Sequence, residues 1–147
     1  MPFSIYTMRL LGLAETLHRW LSLLCGLDRT NRERIAGYAE AIAATLGRAA
    51  KSLTQLDNQP GDLVARADAV RELGRITGYV ETIMLVLESH LDGRKIAGVK
   101  RRLDQLDVER LVLAVNAELP TPVGRLRADR LLAAEGYLRA LADGLRA

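Results

Sequence analysis

The sequence is poor in the side chains that most catalytic and metal sites use. It has 1 Cys and 2 His among 147 residues. A lone cysteine, Cys25, excludes an internal disulfide and fits a reducing compartment, so we expect a cytoplasmic protein. We also expect Cys25 to be a small core residue rather than a reactive thiol.

Aromatic residues are scarce too, at 4% of the chain, although 49% of the residues are hydrophobic. Leu and Ala supply most of that apolar mass, and both are strong helix formers. With 27% charged residues, the composition is that of a globular chain able to fill one core. It predicts an all-α protein with a single domain over residues 1–147.

A long uninterrupted apolar run is missing as well. Residues 1–26 are strongly apolar, but Arg9, Glu15 and Arg19 interrupt them. A membrane-spanning helix needs ~20 predominantly apolar residues, and a signal peptide needs early positive charge before an unbroken apolar stretch. We therefore expect neither, and no membrane partner.

The hydrophobic spacing predicts an antiparallel bundle of about five helices with short connections. The first helix should span about residues 4–25 and end at Gly26 in a left-handed conformation. Its apolar face is broader than one neighbouring helix would cover. Within that face we predict a protein interface, and the equally weighted alternative is that these residues fill the chain's own core: Leu17, Trp20, Leu21 and Leu24.

The second helix carries a regular apolar seam. Its start is predicted at a capping box formed by Thr30 and Glu33, and Pro60-Gly61 should end it before Asp62 caps the next helix. Spacings of four and three along this helix predict a coiled-coil-like stripe, made of Ile35, Ala39, Ile42, Leu46, Ala49, Leu53 and Leu56.

The third helix, predicted over about residues 63–91, is apolar around most of its circumference, which favours a central position in the bundle. Gly74 and Gly78 predict a close approach to a neighbouring helix. In residues 94–119 the apolar stripe changes phase at Asp107, which predicts a kink or break there and leaves open whether one helix or two follow. A last helix begins after Thr121.

The predicted helices contain only incomplete versions of known catalytic and metal-binding patterns. Glu15 and His18 share a face at the Glu-x-x-His spacing of di-iron bundles. Such a site needs a second Glu-x-x-His pair. The other histidine, His90, has Leu87 at the position where that pair would need a glutamate. Cys25 and His18 are seven residues apart, roughly 10 Å along a helix, too far for a nucleophile and its base. We predict no enzyme, no metal and no cofactor.

Basic side chains form the strongest remaining pattern, and they allow two interpretations. They form either a surface that faces solvent or an acidic partner, or a site that binds nucleic-acid phosphates. Interspersed acids, and the lack of aromatic side chains for base stacking, favour the surface. The candidate patch comprises Arg94, Lys95, Lys100, Arg101 and Arg102 with Arg125, Arg127 and Arg130; a further run is Arg29, Arg32 and Arg34.

Three stretches, "RERIAGYAEAIAATLGRAAKSL", "ELGRITGYVETI" and "DVERLVLAV", carry a resemblance to a known family. The chain resembles small bacterial helical modules that accompany effector domains in conflict and signalling systems, over residues 29–146. The resemblance implies an adaptor without catalysis and transfers no catalytic residue. The matching positions are Arg32, Arg34, Ile35, Ala36, Tyr38, Ile42, Ala43, Thr45 and Leu46, then Val108, Glu109, Arg110 and Leu111.

These observations together predict a non-catalytic interaction module, either an adaptor or a self-assembling homo-oligomer. The setting predicted for this module is bacterial defence or signalling. The alternative is a small basic helical subunit that binds nucleic-acid backbone, for example within a ribonucleoprotein. The net charge of +3 permits an anionic partner without requiring one.

Overall fold

The computed structural model describes residues 2–59, 61–88 and 123–147, together with Arg94, Ala97 and Arg101. The helices within these ranges are α1 (Pro2–Arg19), α2 (Leu21–Leu24), α3 (Arg29–Asn58), α4 (Leu63–Leu87) and α5 (Val123–Arg146). They pack against one another, which confirms the predicted all-α bundle. No helix in the described ranges has an apolar stretch that could cross a bilayer.

Helix α3 is the centre of the described bundle. Every residue of its predicted seam is buried, and α3 packs against both α4 and α5. The helix begins two residues earlier than the capping box predicted, because Asp28 is its N-cap and the Asp28 carboxylate accepts a 3.1 Å hydrogen bond from the Asn31 N–H. The prediction of Thr30 as the cap was therefore wrong.

Contacts along α3 give the direction of its neighbours. The start of α3 meets the end of α5, where Arg146 pairs with Glu33 and Glu40. The end of α3 meets the start of α4, where Gln55 Nε2 lies 3.4 Å from Asp62 Oδ2, and earlier along α3 Arg48 Nε lies 3.2 Å from Glu72 Oε2. Both neighbours therefore run antiparallel to α3. Helix α1 packs on the other side of α5.

The predicted first helix is interrupted. Trp20 separates α1 from α2, with φ −84° and ψ 6°, and its N–H donates to the Leu17 carbonyl at 3.2 Å in a tighter, three-residue turn. Gly26 does not adopt a left-handed conformation, since no described glycine has a positive φ. Instead the Gly26 N–H donates to the Leu23 carbonyl at 3.1 Å.

The central position predicted for α4 stays a prediction, since most of residues 89–122 lie outside the described ranges. Among the described helices α4 packs mainly against α3, and Leu85 is 69% exposed. Its buried residues follow a stripe through Leu73, Ile76 and Val80 that widens near the end of the helix, where Ile83, Met84, Val86 and Leu87 are all buried. The predicted kink at Asp107 and the continuity of residues 94–119 fall outside the described residues.

Within the described residues, close helix packing occurs at Gly144. At Gly74 and Gly78 an added Cβ would have no described atom within 4 Å, so the close approach predicted there is not seen among the described helices. At Gly144 an added Cβ would lie 2.7 Å from Leu21 Cδ2. The missing side chain of Gly144 therefore lets α5 approach α2.

Two glycine substitutions in α5 test this packing. Gly136→Ala adds a methyl group in open space, so helix propensity should raise the free energy of unfolding by about 0.5–1 kcal/mol. Gly144→Ala should give no such gain, because its Cβ would collide with Leu21. Urea unfolding followed by circular dichroism measures both. Equal gains for the two variants would contradict the close approach at Gly144.

Candidate functional site

The predicted interface on the first helix is largely used by the chain itself. Leu17 and Leu24 are 1% and 0% exposed, so they belong to the core of the single chain and are unavailable to a partner. Trp20 and Leu21 are half-buried and pack against that core. For Leu17 and Leu24 the interface prediction is therefore corrected in favour of its stated alternative.

The side chains weighed for chemistry have other contacts. Glu15 pairs with Arg19 at 3.6 Å, and the His18 ring lies edge-on to Tyr137 with 5.6 Å between centroids. Cys25 is exposed rather than buried, and its thiol donates to the Gly144 carbonyl with a sulfur–oxygen distance of 3.8 Å. Among the described residues, no three His, Cys, Asp or Glu side chains lie together as metal ligands would.

The predicted basic patch is described only in part. Arg94, Ala97 and Arg101 have helical backbone and are exposed. Arg130 on α5 is half-buried. The remaining members of the patch lie outside the residues whose side chains are described: Lys95, Lys100, Arg102, Arg125 and Arg127.

A surface that sequence analysis did not identify lies along the second half of α3. Arg48, Lys51 and Gln55 form an exposed row, here called the α3 ridge, at spacings of three and four. A groove of about 570 Å³ separates the ridge from α4. On its other side, a groove of about 670 Å³ separates the ridge from α5. The ridge thus borders both grooves.

The walls of the α3/α4 groove carry opposite charges. Arg48 and Lys51 of α3 form one wall, whereas Asp68 and Glu72 of α4 contribute to the other. Arg48 bridges the groove to Glu72, but Lys51 has no ion pair within the part of the chain that the structure describes. The groove is therefore cationic on one side and acidic on the other.

Buried Thr45 holds Arg48 in place on the cationic wall. The Thr45 hydroxyl is fully buried; it donates to the Ala41 carbonyl at 2.7 Å and accepts from Arg48 Nη2 at 3.1 Å. The guanidinium is thereby fixed by α3 below it and by Glu72 across the groove. Such fixing reduces the conformational entropy that this wall would lose on binding.

Exposed apolar side chains accompany both grooves. Val64 in the α3/α4 groove is 71% exposed, and Leu132 in the α3/α5 groove is 50% exposed. Ala44 and Gly47 line the α3/α5 groove beneath a rim on which Glu135 and Arg139 pair at 2.9 Å. Apolar contacts surrounded by charged and polar groups are typical of protein-binding surfaces.

Asp62 closes one end of the α3/α4 groove and starts α4. Its Oδ1 accepts from the Ala65 N–H at 3.0 Å, and its Oδ2 lies 3.4 Å from Gln55 Nε2 of the ridge. The backbone hydrogen bond from Ala65 is the main reason that the pKa of the Asp62 carboxyl lies below its ordinary value. The predicted cap at Asp62 is confirmed.

Of the ridge and the two grooves, only the α3 ridge could have been found in the sequence, because its polar residues recur at spacings of three and four. The grooves depend on the separation between helices, which no local pattern reports.

No protein-family model matches this chain, and neither a curated protein nor a solved structure matches it. The resemblance to effector-associated modules therefore stays a prediction.

Replacing Asp62 should make the stability of the fold depend less on pH. Because folding lowers the pKa of Asp62, its charged form stabilises the protein above the ordinary value of 3.8, and this contribution disappears as the pH falls through the lowered pKa. Asp62→Ala should therefore lower the melting temperature at pH 7, with a difference from the unsubstituted protein that shrinks below pH 4. Thermal melts between pH 2.5 and 7 measure this difference.

Asp62→Asn is the matched control, because an asparagine can still cap the helix but carries no charge. It should keep more stability at pH 7 than Asp62→Ala. A difference between Asp62→Ala and the unsubstituted protein that stays constant across the whole pH range would contradict the charged cap.

Proposed function

We propose that this chain is a non-catalytic interaction module that assembles with a second copy of itself through the α3/α4 groove. The observation that supports this proposal is the opposite charge of the two groove walls. A two-fold axis places the same patch of both copies face to face. The cationic wall of one copy can then meet the acidic wall of the other.

Lys51 and Asp68 are the pair that this arrangement brings together. Lys51 has no ion pair among the described residues, and Asp68 is held by Arg71 at 2.9 Å on its own helix. In a two-fold dimer each copy contributes one lysine and one aspartate, so the contact forms twice. Desolvating the pair at an interface would make it stronger than an exposed ion pair.

Val64 supplies the apolar part of the contact. The side chain is 71% exposed in the single chain and lines the groove from the α4 side, so burying it would gain roughly 25 cal/mol per Å² of apolar surface. The same surface also fits an adaptor of the bacterial cytoplasm that associates with an effector, as the resemblance implies. An effector with a similar arrangement of charges would bind to the same groove.

Charge exchange between Lys51 and Asp68 tests the dimer. Lys51→Glu alone and Asp68→Lys alone should each place like charges across the interface and weaken association, whereas the double variant should restore it. Size-exclusion chromatography with light scattering across a concentration series measures the mass. We expect about twice the 16.2 kDa of the chain for the unsubstituted protein and the double variant, and the single-chain mass for each single variant.

Val64→Glu and Leu85→Glu form the matched apolar pair. Both residues are about equally exposed on α4, but only Val64 lines the groove. Val64→Glu should abolish assembly and Leu85→Glu should leave it unchanged. A single-chain mass for the unsubstituted protein at every concentration would refute self-assembly, and equal effects of the two substitutions would refute this groove as its site.

The nucleic-acid alternative is favoured by one observation, the exposure of both Arg94 and Arg101 of the predicted patch. Under this alternative, Arg94→Glu with Arg101→Glu should weaken binding to a labelled oligonucleotide and reduce the salt dependence of binding, since fewer phosphate contacts release fewer counterions. Fluorescence anisotropy over a salt series measures both quantities.

Arg19→Glu with Arg34→Glu is the control, because it changes the net charge equally at two exposed positions outside the patch. An equal loss of binding in both double variants would indicate non-specific attraction. Absence of binding by the unsubstituted protein at low salt would refute the alternative.

A further inference from the structure

The α3/α5 groove has an apolar floor made of small residues. Ala44, Gly47 and Ala50 of α3 line it, and Leu132, which is 50% exposed, lines it from α5. Because no α3 residue of the floor carries more than a methyl group, α3 leaves room there for a neighbouring element. An element that covered the floor would also bury the exposed part of Leu132.

Basic side chains lie on both sides of this floor. Arg48 and Lys51 line the groove from α3, and Arg139 lines it from α5. Among the described residues, Glu135 is the one acid in the lining. The groove therefore has more positive than negative charge, which favours an acidic partner.

The pairing of these charges shows which of them a partner could use. Arg139 donates to the Glu135 carboxylate through Nε and Nη2, both at 2.9 Å, so its Nη1 has no partner among the described residues. Lys51 has no ion pair in the described part of the chain. One free donor therefore lies on each side of the groove.

The groove has the length of a short helix. Its lining on α3 extends from Ala44 to Gln55, which is roughly 16 Å at 1.5 Å per residue. An amphipathic helix binds in such a groove through apolar side chains spaced three and four residues apart. Acidic side chains beside that apolar stripe would then face the two basic sides.

We propose that the α3/α5 groove binds an acidic amphipathic helix of a partner protein. The apolar face of this helix packs over Leu132 and the small residues of α3, and its acidic side chains pair with Lys51 on one side and Arg139 on the other. A basic helix would bring like charges together on both sides. The partner differs from the second copy proposed above, which occupies the groove on the other side of the α3 ridge.

Three synthetic peptides of equal length test the proposal on the full chain. The first is about 16 residues long, enough to form a helix across the groove, with leucines spaced three and four apart and glutamates on both flanks. The second has lysine in place of every glutamate, and the third has the composition of the first in an order that destroys the leucine spacing. Fluorescence anisotropy of the labelled peptides measures binding.

The first peptide should bind at least about tenfold more tightly than either of the others, a difference of about 1.4 kcal/mol. Equal binding of the lysine peptide would overturn the acidic partner, and equal binding of the reordered peptide would overturn the amphipathic helix. Absence of binding by the first peptide at low salt would overturn the proposal as a whole.

Arg139→Glu and Arg19→Glu form a matched charge pair. Each arginine is exposed and pairs with a glutamate four residues earlier on its own helix, but only Arg139 lines the groove. Arg139→Glu should weaken binding of the first peptide at least about fivefold, whereas Arg19→Glu should change it less than about twofold. Equal weakening in the two variants would contradict the predicted contact with Arg139.

Leu132→Glu and Leu85→Glu form the apolar pair, since both leucines are exposed and only Leu132 lines the groove. Leu132→Glu should weaken peptide binding at least about tenfold, and Leu85→Glu should leave it unchanged. Equal effects would rule out this groove as the binding site. Neither Leu132 nor Arg139 lines the α3/α4 groove, so light scattering should give both variants the mass of the unsubstituted protein, and a failure of peptide binding is distinguishable from a failure of self-assembly.

Discussion

Burial of the α3 seam is the interaction on which the rest of the structure depends. Fully burying one Leu or Ile side chain stabilises a fold by about 1.5–3 kcal/mol, and the seam contains several that are completely buried, among them Ile35, Ile42 and Leu46. Small seam residues such as Ala39 and Ala49 let neighbouring helices come close. Helices α4 and α5 therefore settle on two sides of α3, and α1 reaches the bundle through α5.

The candidate sites are consequences of that arrangement. With its apolar face occupied, α3 presents its polar residues as a ridge, and the spaces between the helical cylinders on either side become grooves. The first turns of α3 have a different neighbour, the last residues of α5, and this junction encloses an arginine-lined pocket. One helix thus borders the groove of the proposed interface near one end and the arginine-lined pocket at the other.

The burial of Leu17 and Leu24 in the chain's own core shows why an interface could not be predicted from apolar residues alone. A leucine on a helix gains about the same free energy whether it is buried by its own chain or by a partner. Spacing therefore identifies which residues will be buried but not what buries them. The groove residues are the converse case, because Val64 and Leu132 are apolar yet exposed, and only their placement between charged side chains distinguishes them.

The amino-acid sequence by itself determined the helical class, the α3 seam and the cap at Asp62, because each depends on hydrogen bonds or spacings within a few residues. Among the described residues, the tertiary structure decided which helix is central, which glycine allows a close approach and where the charged walls face one another. These features depend on residues that are distant along the chain, such as Arg146 and Glu33, which are 113 positions apart. Local patterns carry no information on such distant pairs, so their positions followed only from how the helices pack.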